Sequence, residues 1–258
     1  MDFFQTTLLG AFAGLTIYLG LPVGRIKGLS EKARSFLSMT SAGILIFLFF
    51  DIFHQLTEPI EAALNQASYS EFAVLLAIFT LGFGAGLLGL IVFEQRIIRF
   101  RAAASQVLSP SRLALMIATG IGLHNFSEGL AIGQSAGRGE IAFAAVLIVG
   151  FGLHNATEGF GIIGPLLGKE RPSWGFLGLA GLIGGGPTFL GTMVGYYFVS
   201  TAMSVLFLSL AAGALVYIIG ELFHANWRAA VKSPAGWGLF AGFIFAYLTD
   251  LVLVIAGV

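Results

Sequence analysis

Eight apolar stretches run the length of this chain, and its lysines and arginines lie at or between their ends. The stretches fall roughly at 4–24, 37–56, 72–94, 112–134, 140–164, 174–198, 201–224 and 236–257. Each is about 20 residues, the length an α-helix needs to cross the hydrocarbon core of a bilayer. Charged residues make up only 10% of the chain and apolar residues 57%, whereas a soluble domain carries about 25% charged residues. With a mean hydropathy of +0.92, the chain has too little charge to cover a water-facing surface. Lipid is the solvent that suits it. Backbone polar groups in lipid must be satisfied internally, and no alternating barrel pattern is present, so helices are expected throughout. The expected fold is all-α: one transmembrane domain over 1–258 with eight membrane-spanning helices. The N-terminus, MDFFQTT, lacks a basic region, so its apolar run reads as the first span and not as a cleavable signal peptide.

The basic residues are distributed asymmetrically. The first connection holds Arg25, Lys27, Lys32 and Arg34, and the third holds Arg96, Arg99, Arg101 and Arg112. The fifth holds Lys169 and Arg171, and the seventh Arg228 and Lys232; of the 13 basic residues only Arg138 falls on the other side. The positive-inside rule then places both termini outside the cytoplasm, in a multi-pass protein of the cell (inner) membrane. The second connection, EPIEAALNQASYSE, carries Glu58, Glu61 and Glu71 with no basic residue. It reads as an outward-facing solvated loop whose acidic groups would also attract cations. Formal net charge is zero and cysteine is absent. Nothing therefore points to a nucleic-acid partner, and disulfides and thiolate metal sites are excluded. Glycine-rich runs such as LGFGAGLLGL and GLAGLIGGG suit close helix packing in a membrane.

The chain has four histidines, His54, His124, His154 and His224, and two of them open the same hexapeptide. Residues 124–129 read HNFSEG and residues 154–159 read HNATEG, a repeat displaced by 30 residues onto the next, antiparallel span. Short repeats on oppositely directed helices are a common way for transporters to build a central site. A His at i and a Glu at i+4 share one helix face, so His124 with Glu128 and His154 with Glu158 form two such pairs near mid-span. Together they offer two imidazoles and two carboxylates, a set suited to zinc and acceptable to iron, manganese or cadmium. Asn125 and Asn155 stand beside them as further amide oxygens or orienting groups. Ser127 and Thr157 have hydroxyls that either support the ligands or bond back to their own helix. Gly129 and Gly159 remove the side chain directly after each Glu. The competing reading is structural, with each His paired to the neighbouring helix's Glu. Ionisable residues deep in a membrane cost about 2.5–3.5 kcal/mol each on insertion scales, and four in a repeated pattern favour metal coordination.

At these residues the sequence resembles the ZIP (Zrt/Irt-like) divalent metal transporters, in particular their prokaryotic GufA-like branch, whose fourth and fifth spans carry HN-x-P-EG. The resemblance implies eight spans with both termini outside. It also implies a homodimer and an alternating-access cycle in which spans one, four, five and six move against two, three, seven and eight. It assigns His124, Glu128, His154 and Glu158 to the transport site and Asn125 and Asn155 to a neighbouring second metal site. That second site also draws on a span-six Glu in the family. Here the matching stretch reads GLIGGGPTFLG, with Gly186 where that Glu would stand, so one ion per site is expected. Ser127 and Thr157 replace the family prolines, which implies weaker kinks.

Other ionisable groups lie near span ends, where polar side chains are tolerated. Asp51 and His54, at i and i+3 near the outer end of span two, read equally as a metal-collecting entrance pair or an interfacial capping pair. Glu221 and His224, at the inner end of span seven, read as an exit site or an interfacial pair. Glu94, among Arg96 and Arg99, reads as a solvated ion-pairing residue, and Asp250 needs a partner that the sequence does not name. The 95–111 loop has no histidine, so no metal regulation is expected there. The expected function is transport of a divalent metal, zinc first, into the cytoplasm, with no prosthetic group and no catalysis. No G-x-x-x-x-G-K-[ST] loop supports ATP-driven pumping, and no HExxH motif supports an intramembrane metal-dependent hydrolase. A proton-coupled transporter of another solute, with the His/Glu set as a relay, is the remaining alternative.

Overall fold

Helix dominates the described residues. The computed structural model describes residues 2–100, 109–139, 141–198, 200–226 and 232–255. The side chains of Glu94, Arg96 and Arg99, the residue Arg228, and residues 101–108 of the expected 95–111 loop lie outside the described residues, while 95–100 continue α3. Among those described there is no strand. The eight α-helices are α1 (Phe3–Leu15), α2 (Glu31–Asn65), α3 (Tyr69–Phe100), α4 (Pro110–Gly137), α5 (Ile141–Ile163), α6 (Trp174–Tyr197), α7 (Thr201–Asn226) and α8 (Lys232–Ile255). Among the described residues, five segments are long and apolar enough to cross a membrane: Phe3–Arg25, Glu31–Asn65, Tyr69–Val92, Trp174–Tyr197 and Thr201–His224. Helix α4 departs from that pattern because Thr119, His124, Asn125, Ser127, Glu128, Gln134 and Ser135 dilute its apolar surface.

Helix ends follow local chemistry. Asp2 and Gln5 form a reciprocal capping box at the start of α1. Ser30 accepts from the Ala33 N–H to cap α2, and Ser173 accepts from the Phe176 N–H to cap α6. After Leu15 the chain tightens into 3-10 turns that carry it to Arg25. The turn leaving α4 is made by Gly139 at φ 80°, a left-handed conformation that suits glycine.

Two expected boundaries are corrected. Span two was expected at 37–56, yet α2 runs for 35 residues, and the acidic second connection is mostly helix. Glu58 and Glu61 lie on α2, with only a short turn before α3. The reason is amphipathic packing: Leu56, Ile60 and Ala63 are buried along one face, and burial of that stripe sustains the helix past Pro59.

The helices pack as two groups. α1, α4, α5 and α6 pack on one another, and α2 packs on α3, α7 and α8, with α3 also against α7. The groups meet through α4 on α7 and through α5 on α2 and α8. Glycines bring the first group together. A Cβ on Gly129 would run into the Thr188 carbonyl of α6, and one on Gly159 into the Ile17 carbonyl beyond α1. Gly191 and Gly195 of α6 face the Phe126 and Leu130 carbonyls of α4 in the same way. Without a hydrophobic drive between helices in lipid, such close van der Waals contact carries much of the association. Several helix hydroxyls are satisfied locally: Thr40, Thr119, Thr192 and Ser209 donate to the carbonyl four residues back.

Replacing Gly129 or Gly159 with Ala is expected to destabilise the fold by about 1–3 kcal/mol through overpacking. Gly89→Ala, at a position whose added Cβ meets nothing within 4 Å, is expected to be neutral or to stabilise by up to about 1 kcal/mol. Thermal unfolding of the detergent-solubilised protein distinguishes the two classes.

Candidate metal site

The two HN-x-x-EG segments meet inside the protein. His124 sits near the middle of the 28-residue α4 and His154 near the middle of the 23-residue α5. These consecutive helices run in opposite directions, so the repeat faces itself. The imidazole rings approach edge to face with centroids 6.1 Å apart. His124 Nε2 is 3.3 Å from Glu128 Oε1, and His154 Nε2 is 3.6 Å from Glu158 Oε1. Each pair is thus made within one helix, by the i, i+4 register, and not between helices. All four side chains are buried, with His124 and Glu158 at 0% exposure.

The asparagines fix the frame. Asn125 Nδ2 donates to Glu158 Oε2 at 2.9 Å and to the Gly184 carbonyl of α6 at 3.0 Å. It is the cross-helix tie of the site, holding the α5 carboxylate from α4. Asn155 Nδ2 donates to the Ala13 carbonyl at 3.1 Å, near the point where α1 gives way to 3-10 geometry. Thr157 Oγ1 bonds back to the His154 carbonyl at 2.7 Å, while α4 and α5 continue unbroken through Ser127 and Thr157. Gly186 presents no side chain and borders an apolar groove between α1 and α6, so no α6 carboxylate joins the site from that position.

Many polar atoms here are left without a hydrogen-bond partner. They include both ring nitrogens of His124 and of His154, Asn125 Oδ1, Asn155 Oδ1, Glu128 Oε2 and Glu158 Oε1. Buried unpaired polar atoms cost about 1–3 kcal/mol each, and their concentration at one place makes this the leading candidate ligand site among the described residues. Glu128 and Glu158 lie within electrostatic reach of each other, and Glu128 also of Asp51 on α2 and Asp250 on α8. Every lysine and arginine among the described residues falls at a helix end or between helices. No basic side chain is therefore placed at mid-helix to neutralise these carboxylates.

The remaining candidates divide. Asp51 and His54 do not form an ion pair. His54 is exposed, while Asp51 is half-buried, accepts from Gln55 Nε2 at 2.8 Å and approaches both site histidines. The sequence reading missed that approach because it needs the crossing of α2 over α5, which spacing along α2 does not encode. Glu221 is half-buried and His224 exposed at the C-terminal end of α7, in the final turns of their helix. Asp250, half-buried on α8, has Asp51 as its charged neighbour. No protein-family model matches the chain, and no curated protein matches it.

Asn125→Ala removes the tie and leaves Glu158 Oε2 and the Gly184 carbonyl unpaired. It is expected to lower stability by about 1–3 kcal/mol, read as a lower denaturation temperature. Asn155→Ala, after which the Ala13 carbonyl keeps the Thr16 hydroxyl as a donor, is expected to cost less.

Proposed function

We propose that this protein transports divalent transition-metal ions, zinc first, across a membrane, as the resemblance to ZIP transporters implies. The observation that carries the reading is the buried, antiparallel pair of His–Glu ligand sets. It is rich in unpartnered donor atoms and has no mid-helix lysine or arginine to balance its charge. Two imidazoles and two carboxylates suit zinc, and iron, manganese or cadmium are accepted by similar sets. An ion stripped of water would bind His124, Glu128, His154 and Glu158, and the two carboxylates would offset its charge where a bare divalent ion is prohibitive. The structural-pairing alternative is disfavoured because each His faces the Glu of its own helix, so the pairs tie no helices together.

In this reading all eight helices span the membrane with both termini outside the cytoplasm, as the positive-inside asymmetry suggests. Alternating access moves α1, α4, α5 and α6 against α2, α3, α7 and α8, a division that the packing supports. The active form is a homodimer, and one ion occupies each site because Gly186 offers no carboxylate. Asn125 serves chiefly to hold Glu158.

Radioactive zinc uptake into proteoliposomes tests the proposal. Wild type is expected to accumulate zinc, and the His124→Ala, His154→Ala double variant to lose more than about 100-fold of that rate while still inserting. Equal uptake by the two would sink the assignment. Acidification is expected to slow uptake, because imidazole must be neutral and carboxylate ionised to bind metal. A rate that rises as pH falls would point instead to a proton relay serving another solute.

A further inference from the structure

A third helix reaches the two histidines. One carboxylate oxygen of Asp51, on α2, and one ring nitrogen each from His124 and His154 all lie within 4.8 Å of one another. Among the described residues this is the only group of three or more His, Asp or Glu donors drawn so close. Asp51 is half-buried where both histidines are buried, and His54, one turn further along α2, is exposed. Asp51 therefore stands between the closed interior of the site and the more accessible side of α2.

We infer that Asp51 is a metal ligand, completing with His124 and His154 a three-helix site that overlaps the two His–Glu pairs. The inference rests on the metal-transport reading and extends its ligand set. Metal–nitrogen and metal–oxygen bonds of about 2.0–2.2 Å place donors on one tetrahedral ion about 3.3–3.6 Å apart. Closing the observed group on an ion asks less than about an ångström of each donor atom. Two imidazoles and one carboxylate suit zinc, cobalt, iron or manganese. The histidines are thus shared between two donor sets, one completed by Asp51 and the other by Glu128 and Glu158 at 3.3 and 3.6 Å from the rings. α2 belongs to the helix group that packs apart from α1, α4 and α6. An ion bound through Asp51 bridges the two groups, and exchange of Asp51 for the glutamates frees α4 and α5 to carry it.

The chain has no cysteine, so Asp51→Cys introduces a single thiol at the position in question. Cobalt(II) is titrated into the purified full-length protein, and the near-ultraviolet thiolate-to-cobalt charge-transfer band, which requires a sulfur–metal bond, is recorded. The band is expected in Asp51→Cys and absent in His54→Cys. It is expected to disappear when His124→Ala and His154→Ala are added to Asp51→Cys. Asp51→Asn is expected to weaken cobalt binding at least about tenfold. Cobalt bound by Asp51→Cys at wild-type affinity with no band, or unchanged affinity in Asp51→Asn, would overturn the assignment. Should Asp51→Cys fail to fold, X-ray absorption of zinc-loaded Asp51→Asn decides: one oxygen ligand fewer supports the inference, an unchanged shell refutes it. Wild type that binds no cobalt or zinc would instead bring down the metal reading itself, and Asp51 with it.

Discussion

Carboxylates held inside an apolar helix bundle with no mid-helix basic side chain are the constraint on which the rest of this structure turns. Glu128, Glu158, Asp51 and Asp250 share one electrostatic neighbourhood, and every described Lys and Arg sits at or beyond a helix end. An isolated buried charge is among the most costly groups a protein can carry. Such a group is either neutralised by a proton or completed by a cation. In the metal-transport reading proposed above, imidazoles one turn from each glutamate would let a divalent transition metal serve as that cation.

The packing serves that site. Residues that would bulk up the helix interface directly after each ligand Glu are replaced by Gly129 and Gly159, which lets α6 and the α1 turn press against the site helices. The same two neighbours receive the asparagine amides, Gly184 of α6 from Asn125 and Ala13 of α1 from Asn155. Ligand, amide anchor and glycine thus fall within six residues on each helix, and the duplicated hexapeptide works as one unit of packing and chemistry. Its two copies fasten α4 to α6 and α5 to α1, giving a four-helix group with the donors at its centre.

Against that group, α2 is the helix that differs most from a simple hydropathy reading. Apolar run length gives a span of about 20 residues, whereas buried Leu56, Ile60 and Ala63 carry the helix well beyond it. An acidic stretch with no apolar run looks like a loop, and only the packed stripe beneath it makes it helical. Hydropathy averages likewise under-read α4, because a helix that lines a polar site dilutes its own apolar signal.

Helical class and the presence of helices apolar enough to cross a membrane were legible in the sequence, because they follow from composition and from apolar run length. So were the i, i+4 pairing of His124 with Glu128 and His154 with Glu158, and the need for glycine after each Glu, because helical periodicity fixes which residues share a face. Only the tertiary structure decided the hydrogen bond from Asn125 to Glu158, the seating of Asn155 on the Ala13 carbonyl, and the presence of Asp51 rather than His54 beside the histidines. Those depend on where one helix crosses another and how deep it lies. Crossing points are set by side-chain packing between segments distant in sequence, and no local pattern records them.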